Sequence, residues 1–169
     1  MPHVETAPPT PRVLIDAGVF SGALLTRDPR HAEARPLVEQ AREGTLLACT
    51  TAGILSEVYG ALTWEKAEPR QEPVTAAEAV RLLVEPPSAV MVLDEDLAVG
   101  LRTLGLAAKY QLTGRRIHDA RHAAAALVAG ITAVYTYDVD DWRIFADDGL
   151  RIVGPPSTIS QLSLRAGGP

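Results

Sequence analysis

The 169-residue chain has 47% hydrophobic and 22% charged residues, a composition that excludes intrinsic disorder and fits one globular domain with a sizeable core. Its apolar runs are too short to span a bilayer, and a formal net charge of −5 argues against unselective binding to nucleic acid. The single cysteine, Cys49, excludes an internal disulfide and a cysteine-rich zinc site, and it indicates the reducing cytoplasm.

Short apolar runs alternate with helical patterns along the chain. We expect a flexible tail over 1–11, a domain over 12–164 and a second flexible tail over 165–169. Strands are predicted at 12–16, 45–49, 89–93, 132–136 and 150–153, and helices at 31–43, 51–66, 76–85, 95–109, 119–129 and 140–146. This alternation predicts an α/β fold, a single three-layer α/β/α sandwich with a mostly parallel sheet.

The helix at 76–85 has a recognisable start and end. Thr75 and Glu78 have the spacing of a capping box, which predicts that the helix begins directly after Thr75. The two prolines at 86–87 are expected to end it, and the preceding EPRQEP stretch at 68–73 is expected to be a surface loop.

Two acids follow predicted strands, at the edge of the sheet where such folds bind ligands. Asp16 closes the first strand, although an aspartate there is also a favoured helix N-cap. Asp138 follows the strand at 132–136, and Asp140 and Asp141 come close behind it. Asp138 is the better candidate ligand because it is nearest to the strand end, whereas Asp141 could simply cap the short helix that follows.

Two further acids lie on predicted helices. Glu57 is at the edge of the apolar arc of its helix and has no basic residue three or four positions away. The alternative is a boundary glutamate that reaches out to water. Asp119 shares a helix face with Ala123 and Ala126, which would bring the carboxylate inward, although a first-turn acid is also favoured by the helix dipole.

Together the four acids predict a metal site. Several buried carboxylates without matching cations are costly, and a bound cation would remove that cost. Oxygen ligands without cysteine or an obvious histidine suit Mg²⁺ or Mn²⁺.

The chain resembles PIN-domain proteins, and more narrowly the VapC-type toxins of bacterial toxin–antitoxin pairs. The resemblance spans about 12–154 and rests on four short motifs: LID at 14–16, Ser56-Glu57, HDARHAAAALVAG at 118–130 and VYTYDVDDW at 134–142. It implies a parallel α/β sandwich whose acids bind Mg²⁺ or Mn²⁺ and cleave RNA. The resulting hypothesis is that the bound metal activates a water and polarises the scissile phosphate. It also implies a homodimer that a small antitoxin inhibits.

The resemblance also assigns roles to individual residues. Asp16, Glu57, Asp119 and Asp138 take the positions of the family's acidic quartet. Asp141 or Asp140 matches an additional acid, and Thr136 matches a polar residue beside the site. The longer segment at 68–85 and the N-terminal tail depart from the smallest family members, so target choice and dimer geometry stay open.

Several arginines close to these acids in the sequence could contact the RNA backbone, with an ordinary solvated basic face as the alternative. These are Arg115, Arg116, Arg121 and Arg143.

Three other functions compete with the nuclease. His118 and His122 are spaced to share a metal, as in HD-type phosphohydrolases, but that class needs further histidines in a mostly helical fold and only His3 and His31 remain. A phospho-accepting receiver domain needs a pair of acids after its first strand, where Asp16 stands alone. A non-catalytic PIN-like scaffold that binds RNA or protein is the main alternative, and the retention of all four acids favours catalysis over it.

Overall fold

The computed structural model describes residues 11–167. Its five strands are β1 (Val13–Ile15), β2 (Ala48–Thr51), β3 (Met91–Leu93), β4 (Ala133–Tyr135) and β5 (Arg151–Gly154). Its helices are α1 (Ala17–Leu24), α2 (His31–Glu43), α3 (Ala52–Thr63), α4 (Pro73–Val84), α5 (Leu97–Lys109), α6 (Ile117–Val128), α7 (Val139–Trp142) and α8 (Pro156–Ala166), with 3₁₀ turns at Gly114–Arg116 and Arg143–Asp148.

The strands form one parallel sheet in the order β3-β2-β1-β4-β5. Strand β1 is central, and its Leu14 lies between Cys49 of β2 and Val134 of β4. The chain moves outward from β1 to β3 and then crosses back to β4 on the other side of β1. The direction of winding therefore reverses between β1 and β4, which leaves a crevice beyond the carboxyl ends of these two strands.

The helices lie on both faces of the sheet, which confirms the predicted three-layer fold. Helix α1 packs against α2 and α3, α3 packs against α4, and α5 packs against α6. Because parallel crossovers are right-handed, the reversal of winding after β3 places α1–α4 and α5–α6 on opposite faces. None of the helices between residues 11 and 167 is long and apolar enough to cross a membrane.

Burial of the central strand and of α6 holds the site-bearing elements together. All three residues of β1 are buried, and α6 buries Ala120 and the run Ala123–Ala126. Side chains this small allow a helix backbone to approach its neighbours closely. The first turn of α6, which carries Asp119, is therefore held near the carboxyl edge of the sheet.

Three predicted boundaries were wrong by three residues. Helix α3 ends at Thr63 rather than at 66, because the backbone leaves the helical conformation at Trp64, with a ψ of 142°. Strand β2 begins at Ala48, three residues later than predicted, because Gly44 ends α2 with a φ of 83° and a turn precedes the strand. The proposed capping box at Thr75 is not used. Helix α4 begins at Pro73, whose fixed φ suits a first helical turn, and its N-cap Glu72 makes no side-chain capping bond.

Two helices were not predicted. Helix α1 follows directly from Asp16, and α8 follows β5 and extends through Arg165 and Ala166. The predicted N-terminal tail lies outside the described residues except for Pro11, and so do the last two residues of the predicted C-terminal tail. The helix predicted at 140–146 is the short α7 followed by a 3₁₀ turn.

Candidate active site

A buried threonine connects the two acids that follow β1 and β4. Asp16 is 8% exposed; its Oδ1 accepts the Ala17 N–H at 2.8 Å, and its Oδ2 accepts the Thr136 hydroxyl at 2.7 Å. The same Thr136 oxygen accepts the backbone N–H of Asp138 at 3.0 Å. Burial raises the pKa of the Asp16 carboxyl, and the hydrogen bonds from Thr136 and Ala17 oppose this shift only in part.

Glu57 is held by a fully buried histidine from α6. His122 Nε2 lies 2.8 Å from Glu57 Oε1, and His122 Nδ1 lies 2.9 Å from the Thr51 hydroxyl. The Thr51 oxygen also accepts the Ile54 N–H as the N-cap of α3. A neutral ring with its proton on Nε2 satisfies every contact, because it donates to the carboxylate and accepts from Thr51. The hydrogen bond from the buried His122 ring thereby fixes the orientation of the half-exposed Glu57 carboxylate.

Asp119 lies in the first turn of α6, half-buried among other carboxylates. Burial raises the pKa of its carboxyl to about 7, and the negative charges of Asp16, Asp141 and Asp138 add to the shift. Burial also raises the pKa of Asp138, and the neighbouring Asp141 carboxylate contributes next. Burial is thus the largest cause of the raised pKa of Asp16, Asp119 and Asp138, and repulsion by neighbouring carboxylates adds to it.

The structure brings the four predicted acids to one cleft of about 440 Å³. The cleft is lined by Asp16, Ala17, Gly18, Arg30, Glu57, Asp119, Tyr137 and Asp138. Between residues 11 and 167, no group of three His, Cys, Asp or Glu side chains is already arranged to hold a metal ion. The acids therefore share a cleft without converging on one point.

The donor chemistry of this cleft fits a hard divalent cation. Each of the four acids offers carboxylate oxygens, the ligands that Mg²⁺ and Mn²⁺ prefer. Asp16 is buried and has no Lys or Arg ion-pair partner in the described part of the chain, so a cation would relieve a real electrostatic cost.

The two extra acids of the predicted site have different surroundings. Asp141 lies close enough to Asp138 to raise its pKa, and it forms an ion pair of 3.6 Å with Arg116 Nε. Asp140 is exposed and lies near Arg165 and Arg143, at 3.1 and 3.9 Å. Of the two, Asp141 is therefore the one beside the cleft.

A second cleft of about 510 Å³ continues from the first and shares Glu57 and Asp119 with it. Its remaining lining residues are Gly53, Ser56, Arg115, His118 and Arg121. Arg121 Nε lies 3.0 Å from Glu95 Oε1, without the alignment of a hydrogen bond. Of the predicted RNA contacts, Arg115 and Arg121 line this cleft, whereas Arg116 is engaged with Asp141 and Arg143 lies beside Asp140.

The sequence predicts a hydrogen bond near the helix start, or plain exposure, for His118 and His122; His122 makes hydrogen bonds and His118 is exposed, but the partner Glu57 was not predicted. Sequence reasoning also missed two residues of the cleft. Arg30 and Tyr137 line the acid cleft without having been singled out. The only available signal was the position of Tyr137, directly before Asp138 in the sequence.

The fold and site together define an α/β domain with a carboxylate-lined crevice at the switch point of its sheet. The PIN domain family matches residues 13–147, so the chain belongs to the PIN domain family. A comparison with curated protein sequences finds no match. The parallel sheet excludes the mostly helical HD-type fold, and its strand order differs from the 2-1-3-4-5 order of receiver domains.

Solved structures of toxin–antitoxin proteins share this fold. VapC20 of Mycobacterium tuberculosis, a sarcin–ricin loop cleaving toxin, has a TM-score of 0.64 at 18% identity, covering 85% of this chain and 99% of that chain. VapBC2 from Rickettsia felis, bound to a promoter DNA fragment, has a TM-score of 0.59 at 12% identity, covering 83% and 96%. VapBC-1 from nontypeable Haemophilus influenzae has a TM-score of 0.58 at 17% identity, with the same coverage. At these identities the similarity shows the fold alone.

Proposed function

We propose that this chain is a metal-dependent endoribonuclease, the toxin of a VapBC-type toxin–antitoxin pair. One observation carries the proposal: acids from four separate parts of the chain line the crevice between β1 and β4. Asp16 and Asp138 reach it from the strand ends, Glu57 from α3 and Asp119 from α6. Chance surface acids would diverge into solvent, because like charges that share a cleft repel each other.

The residues of the site have distinct roles in this proposal. Asp16, Glu57, Asp119 and Asp138 would hold Mg²⁺ or Mn²⁺, with Asp141 as an additional candidate ligand. Bound cation would supply an acidified water and would stabilise charge on the scissile phosphate. Thr136 and Ala17 orient Asp16, and His122 orients Glu57, so two of the acids are fixed before substrate arrives.

The proposed partners are an RNA substrate, a small antitoxin protein and a second copy of this chain. Support for the antitoxin comes from structural neighbours that are toxin–antitoxin complexes, including one from Klebsiella pneumoniae and a DNA-bound VapBC from Salmonella typhimurium. A cytoplasmic location fits such a pair. The homodimer is carried over from the family resemblance and requires a measurement of mass in solution.

The direct test is cleavage of end-labelled tRNA, rRNA fragments and mRNA by purified protein with Mg²⁺ or Mn²⁺, and with EDTA as the control. We expect cation-dependent cuts that disappear in Asp119→Asn and are blocked by the antitoxin. Full cleavage by a folded Asp119→Asn variant contradicts the proposed site. RNA binding without cleavage by the wild-type protein supports the non-catalytic scaffold instead.

A further inference from the structure

An arginine and a tyrosine form one rim of the acid cleft. Arg30, at the N-cap of α2, and Tyr137, two residues after the end of β4, line the same cleft as the four acids. The Arg30 guanidinium carbon lies 4.5 Å from the centroid of the Tyr137 ring. Stacking on an aromatic ring stabilises the positively charged guanidinium and leaves its N–H edge available to a ligand.

The tyrosine ring is held rigidly. Its hydroxyl donates to Glu33 Oε2 at 3.2 Å. Glu33 in turn accepts the Ser157 backbone N–H at 2.8 Å and the Ser157 hydroxyl at 2.6 Å. These hydrogen bonds connect α2, α8 and the segment after β4. They fix the position of the tyrosine ring on which the arginine stacks.

Arg30 has no acidic partner of its own. Within residues 11–167 its guanidinium takes part in no salt bridge, although four carboxylates line the same cleft. An arginine placed among acids usually pairs with one of them. Here the stacking on Tyr137 keeps the positive charge at the rim, where an incoming anion can meet it.

The groove has a second basic end. The acid cleft and its neighbour meet at Glu57 and Asp119, so the groove runs from Arg30, past the acids, to Arg115. Arg115 likewise forms no salt bridge in the described part of the chain, whereas Arg121 is occupied by Glu95. Two unpaired arginines therefore flank the acids.

We infer that the Arg30–Tyr137 rim is a phosphate-binding subsite for an RNA nucleotide next to the scissile bond, with Arg115 holding the backbone on the other side. The inference rests on the proposed function for the identity of the ligand. An acidic cleft repels the negatively charged RNA backbone. Guanidinium groups on either side of the acids offset this repulsion, because they bind phosphates that flank the reacting one.

The test compares Arg30→Ala, Arg30→Lys and a matched control, Arg35→Ala. Arg35 lies on the same helix, is exposed and pairs only with Glu39, so its removal changes the net charge equally without touching the cleft. Each protein is tested for RNA cleavage, for binding of a fluorescent single-stranded RNA in Mg²⁺, and for Mn²⁺ affinity by electron paramagnetic resonance.

We expect Arg30→Ala to raise KM and the Kd for RNA about 10-fold, as loss of a charge-assisted contact does, with Mn²⁺ affinity unchanged. The slope of log Kd against log salt should become shallower by about 0.7, the value for one phosphate contact on a single strand. Arg30→Lys should recover part of the loss, because it keeps the charge but not the planar stack.

The outcomes separate the subsite from the proposed function. If the wild type cleaves RNA and Arg30→Ala behaves like Arg35→Ala, the subsite is overturned while the nuclease stands. If the wild type binds RNA without cleaving it and Arg30→Ala weakens binding with a shallower salt slope, the subsite stands and the nuclease fails. Absence of both cleavage and binding by the wild type overturns both.

Discussion

The Nε2 atom of His122 lies 2.8 Å from Oε1 of Glu57, joining α6 to a carboxylate that is 65 residues away in the sequence. The ring is fully buried, and its other nitrogen contacts Thr51. A histidine so placed fixes the direction in which the carboxylate points. Residues that hydrogen-bond to a metal ligand strengthen metal binding without contacting the metal themselves.

Replacement of His122 by Phe should therefore weaken Mn²⁺ binding by about 10-fold or more while the ring volume remains filled. The measurement is Mn²⁺ titration followed by electron paramagnetic resonance, with circular dichroism to establish folding. His118→Phe is the matched control, because His118 is exposed one turn earlier on the same helix. Equal Mn²⁺ affinity in the two variants would show that His122 does not position Glu57.

The Thr136 hydroxyl should contribute to stability as well as to the site. Thr136→Val keeps the volume of the side chain but removes the donor to Asp16 and the acceptor of the Asp138 N–H. Buried groups left without partners cost about 1–3 kcal/mol, and we expect the free energy of unfolding to fall by this amount. Urea denaturation measures it. Thr136→Ser keeps the hydroxyl and should lose less; a loss in Thr136→Ser as large as that in Thr136→Val would contradict a dominant contribution from the hydroxyl.

In the absence of bound metal, the Asp119 carboxyl should destabilise the protein at neutral and alkaline pH. Its pKa is about 7 in the fold against an ordinary value of 3.8, so the folded protein retains a proton that the unfolded chain has released. The resulting loss in the free energy of unfolding is complete above pH 7 and becomes smaller as the pH falls from 7 to 3.8. In EDTA at pH 8, Asp119→Asn should be more stable than the wild type by roughly 1–2 kcal/mol once solvent screening is included.

Denaturation of both proteins at several pH values tests this prediction. The stability difference should narrow as the pH falls below 7, whereas a difference that does not change with pH would contradict the assignment. Mn²⁺ affinity of the wild type should also increase as the pH rises towards 7, because a carboxyl must lose its proton before it binds a cation.

The close approach of α6 to the start of α3 depends on Gly53. A Cβ atom there would lie 1.6 Å from Arg121 Nη2 and 2.7 Å from His122 Cε1. The arginine end can move aside, but the buried ring cannot move without disturbing its bond to Glu57. We expect Gly53→Ala to lower the free energy of unfolding by about 1–3 kcal/mol and to weaken Mn²⁺ binding.

Gly60 offers a control on the same helix, since an added Cβ meets nothing within 4 Å. Gly60→Ala should raise stability by about 0.5–1 kcal/mol through helix propensity. Thermal denaturation compares the two variants. If Gly53→Ala is stabilising as well, α6 has room to shift and the packing around His122 is looser than the structure implies.

Local patterns in the sequence predicted the three-layer fold, because the periodicity of strands and helices depends on residues that are close in the chain. The same patterns predicted that four acids lie at strand ends or on helices. They misplaced β2 and the start of α4, where a glycine turn and a first-turn proline decide the boundary. They also missed α1 and α8. The resemblance of short motifs, in their order along the chain, indicated the PIN domain family, and the family match over residues 13–147 confirms it.

Contacts between distant residues could not be read in this way. The pairing of His122 with Glu57, the threonine shared by Asp16 and Asp138, and the stacking of Arg30 on Tyr137 join residues from separate elements. The sequence by itself determined which acids are present and that strands bring two of them to one edge. Only the tertiary structure decided which polar groups support them, because those neighbours are set by how helices pack across the sheet.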